Sequence, residues 1–390
     1  MIEKRRIPLL DSFRFLAIIS VMLFHYTWRW TLPYAEGNFY PIGGFYKGTF
    51  QYGEKGVQFF FIISGFVISY TLDSTDHLSA FFKNRLIRLL PPMIVWSVIT
   101  FLTFTVLDQP VAIESSHQLR NFLPSLTFIN PKIWTLVFPN MPMDWLDGSY
   151  WTLWVEVQFY LVAGLVFFMN KGKFLRNILM VTLVLVFAAY IPTHFSTPGI
   201  IDRLSPRLAA VVSSSMYINR LFLLGFYICY FTLGVVFHHL YARKSIKLVS
   251  FEGISIIAIF CYQLYACVTN PVRIIFLVMI ALFVLMIYKD AWLRFLEAPT
   301  ITRIGAISYS VYLSHQNIGV LLMHKYGGYL GKWSPLSVPI VMILIICLSE
   351  ISYRFVEQKL GRFLKGRMFR RKPVLPNDDF VPPLGGIFRR

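Results

Sequence analysis

Long apolar segments are the sequence feature that most limits what this chain can fold into. A helix needs about 20 mostly apolar residues to cross a bilayer, and ten segments of the 390-residue chain approach that length. These segments predict an all-α polytopic membrane protein with about ten transmembrane helices. We expect the ten spans at residues 8–28, 56–72, 89–107, 149–169, 175–192, 216–240, 247–268, 271–289, 301–323 and 335–357.

The composition excludes the common soluble classes. Hydrophobic residues make up 56% of the chain and charged residues only 14%, whereas a soluble domain has about 25% charged residues. A net charge of +18 on a soluble chain would indicate nucleic-acid binding, but here the basic residues cluster between the apolar segments. Such clusters mark the cytosolic side of a membrane protein. We therefore expect both termini in the cytosol and no nucleic-acid partner.

Two regions of the chain differ in composition. Residues 1–360 hold all ten spans and form one predicted membrane domain, whereas residues 361–390 are basic and rich in proline. We expect the second region to be a disordered cytosolic tail.

The four cysteines lie in apolar segments without CxxC spacing, so we predict buried packing, no disulfide and no metal site. P-loop, Rossmann, zinc-protease and nucleophile-elbow motifs are all missing.

Span one carries three ionisable residues. Such groups are costly in a bilayer and are functional candidates for that reason. Arg14 and His25 are eleven residues apart, which places them on one helix face and about 16 Å apart along the axis. A cation near the cytosolic side and an imidazole near the outer side fit a path across the membrane. The alternative is an Asp11–Arg14 ion pair with His25 as a hydrogen-bonded core residue.

Charged residues of two other spans are also candidates. Glu156 in span four is expected at the depth of His25, where a carboxylate can orient an imidazole and raise its basicity; a structural ion pair is the alternative. Arg85 and Arg88 open the predicted span three, and their i,i+3 spacing places two guanidinium groups on one face. That pattern suits phosphates, although basic residues are expected at this border from topology alone.

The remaining polar positions in the spans favour structural roles. Ser64 and Gly65 lie near the middle of span two, where small residues allow helices to pack closely. We interpret His315 in span nine as a hydrogen-bonded core residue, with a second catalytic or acceptor-binding role as the alternative. Glu350 and Arg354 have i,i+4 spacing and are predicted to form an ion pair.

Five short strings then occur in a fixed order: Leu10-Asp11-x-x-Arg14 with His25, Phe59-Phe-Phe-Ile-Ile-Ser64-Gly65-Phe66, Arg85-x-x-Arg88 with Pro91, Trp151-Thr-Leu-x-x-Glu156, and Ser308-Tyr-Ser-Val-Tyr312-Leu-Ser-His315. Together they resemble the bacterial acyltransferase-3 family of integral membrane acyltransferases, over about residues 5–360. The chain departs from the family pattern after Glu357, where Gln358 stands close to a position that often holds proline. This departure weakens any role for Glu357.

The resemblance implies a multi-pass enzyme of the bacterial cytoplasmic (inner) membrane. Such an enzyme moves an acyl group, usually acetyl, from cytosolic acyl-CoA to a hydroxyl of a cell-surface or lipid-linked glycan. The expected partners are therefore acyl-CoA, the glycan or glycolipid acceptor and the bilayer. Acyl-CoA is a substrate here, and no bound cofactor is expected. The chain resembles the stand-alone form of the family, without a fused esterase-like domain.

The residues and the resemblance together give a mechanistic hypothesis. Arg85 and Arg88 would hold the phosphates of acyl-CoA, and Arg14 its pantetheine or phosphate region. His25 would act as general base or as a transient acyl carrier, with Glu156 orienting it or taking its proton. Four further residues are expected to support the site or its acceptor side: Asp11, Ser64, Tyr312 and His315.

Two other functions remain open from the sequence. A proton-coupled secondary transporter of a small solute or an acyl group would also need charges inside the membrane. Transporters often contain inverted repeats and paired broken helices, and the sequence shows neither. A different membrane O-acyltransferase fold with a buried histidine is the second alternative, and the spacing from Arg14 to His25 argues against it.

Overall fold

A computed structural model describes residues 6–30, 45–46, 49–107, 115–196, 200, 205–242 and 244–368. Within these ranges every regular element is helical and no strand occurs. The α-helices are α1 Pro8–Phe24, α2 Gly56–Leu72, α3 Leu78–Val106, α4 Phe122–Thr127, α5 Pro131–Val137, α6 Trp151–Met169, α7 Phe174–Phe195, α8 Pro206–Leu221, α9 Leu224–Tyr241, α10 Phe251–Ala266, α11 Asn270–Tyr288, α12 Pro299–Ala306, α13 Ser308–Ser314, α14 Gln316–Tyr326, α15 Ser337–Ser352 and α16 Gly361–Met368.

Eight helical segments of the described chain are long and apolar enough to cross a membrane. The predicted class, an all-α multi-pass membrane protein, is thereby confirmed. The predicted spans 247–268 and 301–323 take a different form from the one expected. The first contains α10, a shorter apolar helix of 16 residues. The second is divided into α12, α13 and α14 by breaks at Ile307 and His315. Apolar content indicates where a span lies but not where it is divided into separate helices.

The centre of the bundle is the close packing of α2 on α9. A side chain at Gly65 would meet the backbone of Phe231, and one at Gly234 would meet the backbone of Ile62. Glycine at both positions allows the two helix backbones to approach closely, as small residues do in membrane bundles. The packing role predicted for Gly65 is confirmed, and the neighbouring Ser64 faces a cavity.

Helix α1 lies in the core of the bundle. Phe13, Ile18 and Met22 are fully buried, and a side chain at Gly305 of α12 would meet the backbone of Asp11. The helix continues beyond Phe24 as a π-helical turn over His25–Arg29. Single π-helical turns inside helices are often found at functional sites, and this turn carries the histidine predicted to be catalytic.

The helices at the outside of the bundle have apolar side chains on their exposed faces. Val184 and Phe187 of α7 and Val278 of α11 are examples, and we place these faces against lipid. The predicted tail begins differently from the expectation, because Gly361–Met368 is helical. The rest of that tail, residues 369–390, lies outside the described residues.

Candidate functional site

Three cavities follow one another along α1. The inner cavity, of about 940 Å³, surrounds the start of the helix, and the outer cavity, of about 840 Å³, lies at its end. Between them is a central cavity of only about 80 Å³. Arg14, Arg85 and Arg88 line both the inner and the central cavity, while Val57 and Tyr312 line both the central and the outer one. The three cavities therefore adjoin one another in series, with the smallest in the middle, and we refer to this series as the path.

Basic side chains dominate the inner cavity. Asp11 and Glu357 are the only acidic residues among its described lining. Asp11 already forms ion pairs with Arg6 and Arg14, each at 2.7 Å. The Asp11–Arg14 pair considered from the sequence is thus present, and Arg14 lines the path as well. Six basic residues line the inner cavity: Arg6, Arg14, Arg85, Arg88, Arg362 and Lys365.

Arg85 and Arg88 lie within α3 and not at its start, because the helix begins at Leu78. The prediction that they open the span is therefore wrong. The helix includes the polar residues before residue 89, which we had placed outside the span. Arg85 is buried and donates a hydrogen bond to Thr71 Oγ1 at 3.0 Å. Its guanidinium group also lies over the ring of Tyr160, 5.7 Å from the centroid.

Arg88, unlike Arg85, has no side-chain hydrogen bond and no aromatic ring beneath it in the described part of the chain. It lines both the inner and the central cavity and is accessible from them. In the described part of the chain it makes no hydrogen bond and no ion pair. A guanidinium group that reaches into a cavity and is not held in an ion pair by the described residues is suited to binding an anionic ligand.

Glu156 lies in the central cavity with the arginines. Its Oε1 atom accepts a hydrogen bond from Ser64 Oγ at 2.5 Å and another from the Tyr160 hydroxyl at 2.5 Å. Its charge also acts on all three arginines that line this cavity. The carboxylate therefore offsets part of the positive charge in the narrow middle of the path and holds two hydroxyl groups there.

The structure thus gives Glu156 different hydrogen-bond partners from the imidazole of His25 that we predicted. Thr152, one helical turn before Glu156, is the residue of α6 that reaches Tyr312 at the entrance to the outer cavity. Thr152 and Glu156 are about 6 Å apart along the helix axis, and counting residues from the edge of an apolar segment does not decide which of the two reaches Tyr312.

His25 lines the outer cavity and packs against a second histidine. The His25 and His315 rings meet edge to face, with their centroids 5.1 Å apart. His315 is fully buried, and its Nδ1 lies 2.8 Å from the carbonyl oxygen of Tyr312. Its Nε2 has no hydrogen-bond partner within the described ranges. The predicted hydrogen-bonded core position of His315 is confirmed, and the contact with His25 adds to it.

Tyr312 stands where the central and outer cavities meet. Its hydroxyl group donates to the Ser149 carbonyl oxygen at 2.9 Å and lies 2.7 Å from Thr152 Oγ1. The ring is held on one side by α6 and lies beside His315 on the other. Tyr312 is therefore fixed at the boundary between the two compartments.

The Glu350–Arg354 pair predicted from i,i+4 spacing is confirmed, with a distance of 2.5 Å. Glu350 also pairs with Arg303 of α12, a partner that the local sequence could not reveal. None of these three residues lines the described cavities. We assign the cluster a structural role, joining α15 to α12.

Asp147 is a buried carboxyl group that the sequence analysis did not identify. Its Oδ1 accepts hydrogen bonds from the Ser149 amide and hydroxyl at 2.8 and 2.7 Å, and its Oδ2 accepts one from the Asn317 amide at 2.9 Å. It thereby joins the segment before α6 to the first turn of α14, next to His315. Burial raises the pKa of Asp147 to about 6, against the opposing effect of these hydrogen bonds. An acidic residue shortly before an apolar helical run is a capping signal that could have identified it.

Tyr160 and Glu357 were also missed. Tyr160 is four residues after Glu156, and i,i+4 spacing on a helix is a signal that could have found it. Glu357 lines the inner cavity and accepts a hydrogen bond from Ser310 Oγ at 2.7 Å. The departure from the family pattern after this residue had lowered our expectation for it.

The arrangement combines two chemical capabilities at the two ends of one helix. Arginines at the inner end can bind an anionic group, and an imidazole about 16 Å away along α1 can transfer a proton or form a covalent bond. In the described ranges no group of three or more His, Cys, Asp or Glu residues is arranged to hold a metal ion.

Two known bacterial proteins are similar in sequence to this chain. OatA of Staphylococcus aureus (strain NCTC 8325), described as an O-acetyltransferase, is 26% identical over an alignment that covers this whole chain and 61% of OatA. The chain thus spans less than two thirds of that relative's length. Nodulation protein 10 of Rhizobium leguminosarum bv. viciae is 23% identical, with 93% of this chain and 96% of that protein aligned. No solved structure matches the chain.

A family model supports the same relationship over almost the full length. The model described as an acyltransferase domain, acyltransferase-3, matches residues 7–354. This range includes α1 with Arg14 and His25, the arginines of α3, Glu156 and the paired His315. The resemblance seen in the five sequence strings is thereby confirmed, and this multi-pass membrane protein belongs to the acyltransferase-3 family.

Proposed function

We propose that the protein is a membrane O-acyltransferase of the bacterial cytoplasmic membrane. It moves an acyl group, most simply acetyl, from cytosolic acyl-CoA to a hydroxyl of a cell-surface or lipid-linked glycan. The observation that carries this proposal is the single path from a basic inner cavity through a narrow middle to His25. In this proposal the inner cavity faces the cytosol, and both termini lie on that side.

The donor end of the path suits a charged molecule with a thin arm. Arg14, Arg85 and Arg88 surround the transition from the wide cavity to the narrow one, where they can bind phosphates. The long, flexible pantetheine arm then extends through the central cavity and brings the thioester to His25. Ser64, Glu156 and Tyr160 line that narrow part and offer hydrogen bonds to the amide groups of the arm.

The transfer itself needs an imidazole at the outer end. Acting as a general base, His25 takes the proton of the acceptor hydroxyl while its oxygen attacks the thioester carbonyl carbon. The carbon–sulfur bond breaks, and the proton passes to the departing thiolate. Acting as a carrier, a ring nitrogen of His25 first attacks the thioester carbonyl carbon and the thiolate leaves; the acceptor oxygen then takes the acyl group, the carbon–nitrogen bond breaks, and the hydroxyl proton neutralises the thiolate. His315 contacts the His25 ring directly and supports it in either route, whereas Glu156 acts from the central cavity.

The acceptor end is lined by side chains that suit a sugar. Trp28, Trp30 and Trp151 offer flat apolar faces, and Gln51 and Gln316 offer amide groups. Aromatic faces pack against the apolar face of a sugar ring, and amides can both donate to and accept from its hydroxyl groups. This lining supports a glycan or glycolipid as the acceptor class.

The test is acetyl transfer by the full-length protein reconstituted into liposomes. Radiolabelled acetyl-CoA is supplied on the inner-cavity side and a panel of glycan acceptors on the other. We expect labelled acceptor with the wild type and a loss of at least about 100-fold with His25→Ala, the contribution typical of general acid–base catalysis. His324→Ala, at an exposed position on α14, is the matched control and should transfer at the wild-type rate.

Two results would contradict the proposal. Transfer by His25→Ala at the wild-type rate would remove the imidazole from the mechanism. Uptake of a solute into the liposomes, with no label on any acceptor, would favour the secondary transporter instead.

A further inference from the structure

The terminal helix α16 supplies part of the wall of the inner cavity. Gly361, Arg362 and Lys365 line it, together with Gln358 from the preceding π-helical segment. Arg362 and Lys365 have i,i+3 spacing and share one face of the helix. A Cβ atom at Gly361 would have no heavy atom within 4 Å, so this position is open space beside the two cations.

These two cations have no acidic partner in the described part of the chain. Arg362 donates one hydrogen bond, from Nε to the Gln358 carbonyl oxygen of its own segment at 3.2 Å, and Lys365 makes no ion pair. The two acids of the cavity are already engaged, Asp11 by ion pairs and Glu357 by Ser310. The positive charge of α16 is therefore available to an anionic ligand in the cavity.

The shape of the path decides which part of a donor reaches this charge. The central cavity of about 80 Å³ admits only a thin arm, whereas the inner cavity of about 940 Å³ has room for a nucleotide. Acyl-CoA carries its phosphorylated nucleotide at the end opposite the thioester. With the thioester toward His25 and the arm in the narrow part, the nucleotide must stay in the inner cavity, where Arg362 and Lys365 lie.

We propose that Arg362 and Lys365 bind the phosphorylated nucleotide end of the donor and thereby select acyl-CoA over donors that carry only the pantetheine arm. This inference rests on the proposed function. It assigns two separate tasks to the basic residues: the arginines at the narrow part of the path bind the phosphates nearest the arm, and the cations of α16 recognise the nucleotide end beyond them.

The experiment compares two donors, acetyl-CoA and S-acetylpantetheine, with the full-length protein in liposomes. For Arg362→Gln combined with Lys365→Gln we expect the KM for acetyl-CoA to rise by roughly five- to tenfold, as for exposed charge-assisted contacts. The kcat should not change, and neither should kcat/KM for S-acetylpantetheine. Lys359→Gln changes a basic residue outside the cavity lining and is the matched control.

A binding measurement separates this inference from the proposed function. The Kd of CoA itself, measured by calorimetry on the detergent-solubilised protein, should rise in the double variant and stay constant in Lys359→Gln. An equal loss with both donors, or an unchanged KM and Kd, would overturn the α16 site while leaving acyl transfer intact. Failure of the wild type to transfer acetyl from either donor would overturn the proposed function and this inference with it.

Discussion

Replacing Asp147 with asparagine tests the buried network at the outer end of the bundle. The carboxyl group is fully buried and accepts hydrogen bonds from Ser149 and Asn317. Burial raises its pKa from the ordinary 3.8 to about 6. A folded-state pKa above the unfolded one means that the folded protein binds more protons, so stability must fall as pH rises through this window.

The size of the effect follows from the two pKa values. A pKa unit is worth about 1.4 kcal/mol, so the full contribution of Asp147 is about 3 kcal/mol, present below about pH 4 and lost above about pH 6. Between pH 7.5 and pH 5 about 1.4 kcal/mol is regained, because the unfolded carboxyl is already ionised at pH 5. Asparagine has the same shape and keeps one acceptor oxygen, but it does not titrate.

Thermal unfolding of the detergent-solubilised protein, followed by tryptophan fluorescence, measures this contribution. The Tm of the wild type minus that of Asp147→Asn should become more positive as the pH falls from 7.5 to 5. Asp144→Asn changes an exposed acid of the same segment, and its difference from the wild type should stay nearly constant. A difference for Asp147→Asn that does not depend on pH, or that moves in the opposite direction, would refute the reasoning from burial.

Two further predictions concern the path and the packing around it. Arg88→Gln should lower kcat/KM for acetyl-CoA by about 10- to 100-fold, the range for a charge-assisted hydrogen bond, with little change in Tm because Arg88 has no ion pair to lose; Arg294→Gln, at an exposed site, is the control for both readouts. Gly65→Val should sharply reduce the monodisperse fraction in size-exclusion chromatography, since its side chain would meet the Phe231 backbone. Gly172→Val, at a position where a Cβ atom would meet only Asn170 Oδ1 at an ordinary contact distance of 3.6 Å, should elute like the wild type. Equal elution of both variants would contradict close α2–α9 packing.

The class of fold could be predicted because the bilayer imposes simple length and polarity requirements. The apolar segments at 8–28, 56–72 and 149–169 correspond closely to α1, α2 and α6. The segment 301–323 did not, because it is divided at Ile307, where ψ is 4°, and again at His315, and apolar content does not indicate such divisions. Likewise, α3 begins eleven residues before its predicted start, since its first turns contain polar residues that a search for apolar segments leaves out.

The sequence predicted several residues of the candidate site but not which of them contact each other. Arg14, Arg85 and Arg88 line the path as a group, which the rarity of charge within spans had indicated. The partners of Glu156 and His25 could not be predicted, because they depend on the relative depth of three helices. An error of one helical turn exchanges one partner for another, so depth counted from hydropathy cannot decide a hydrogen bond.

The narrow central cavity also determines what else can cross the membrane through this bundle. Its volume of about 80 Å³ holds only a few water molecules, too few for an open aqueous pore. The three arginines at its inner end place fixed positive charge on the route, and such charge raises an electrostatic barrier to protons and metal cations. A bundle with deep openings at both ends therefore opposes the leakage of cations along this path.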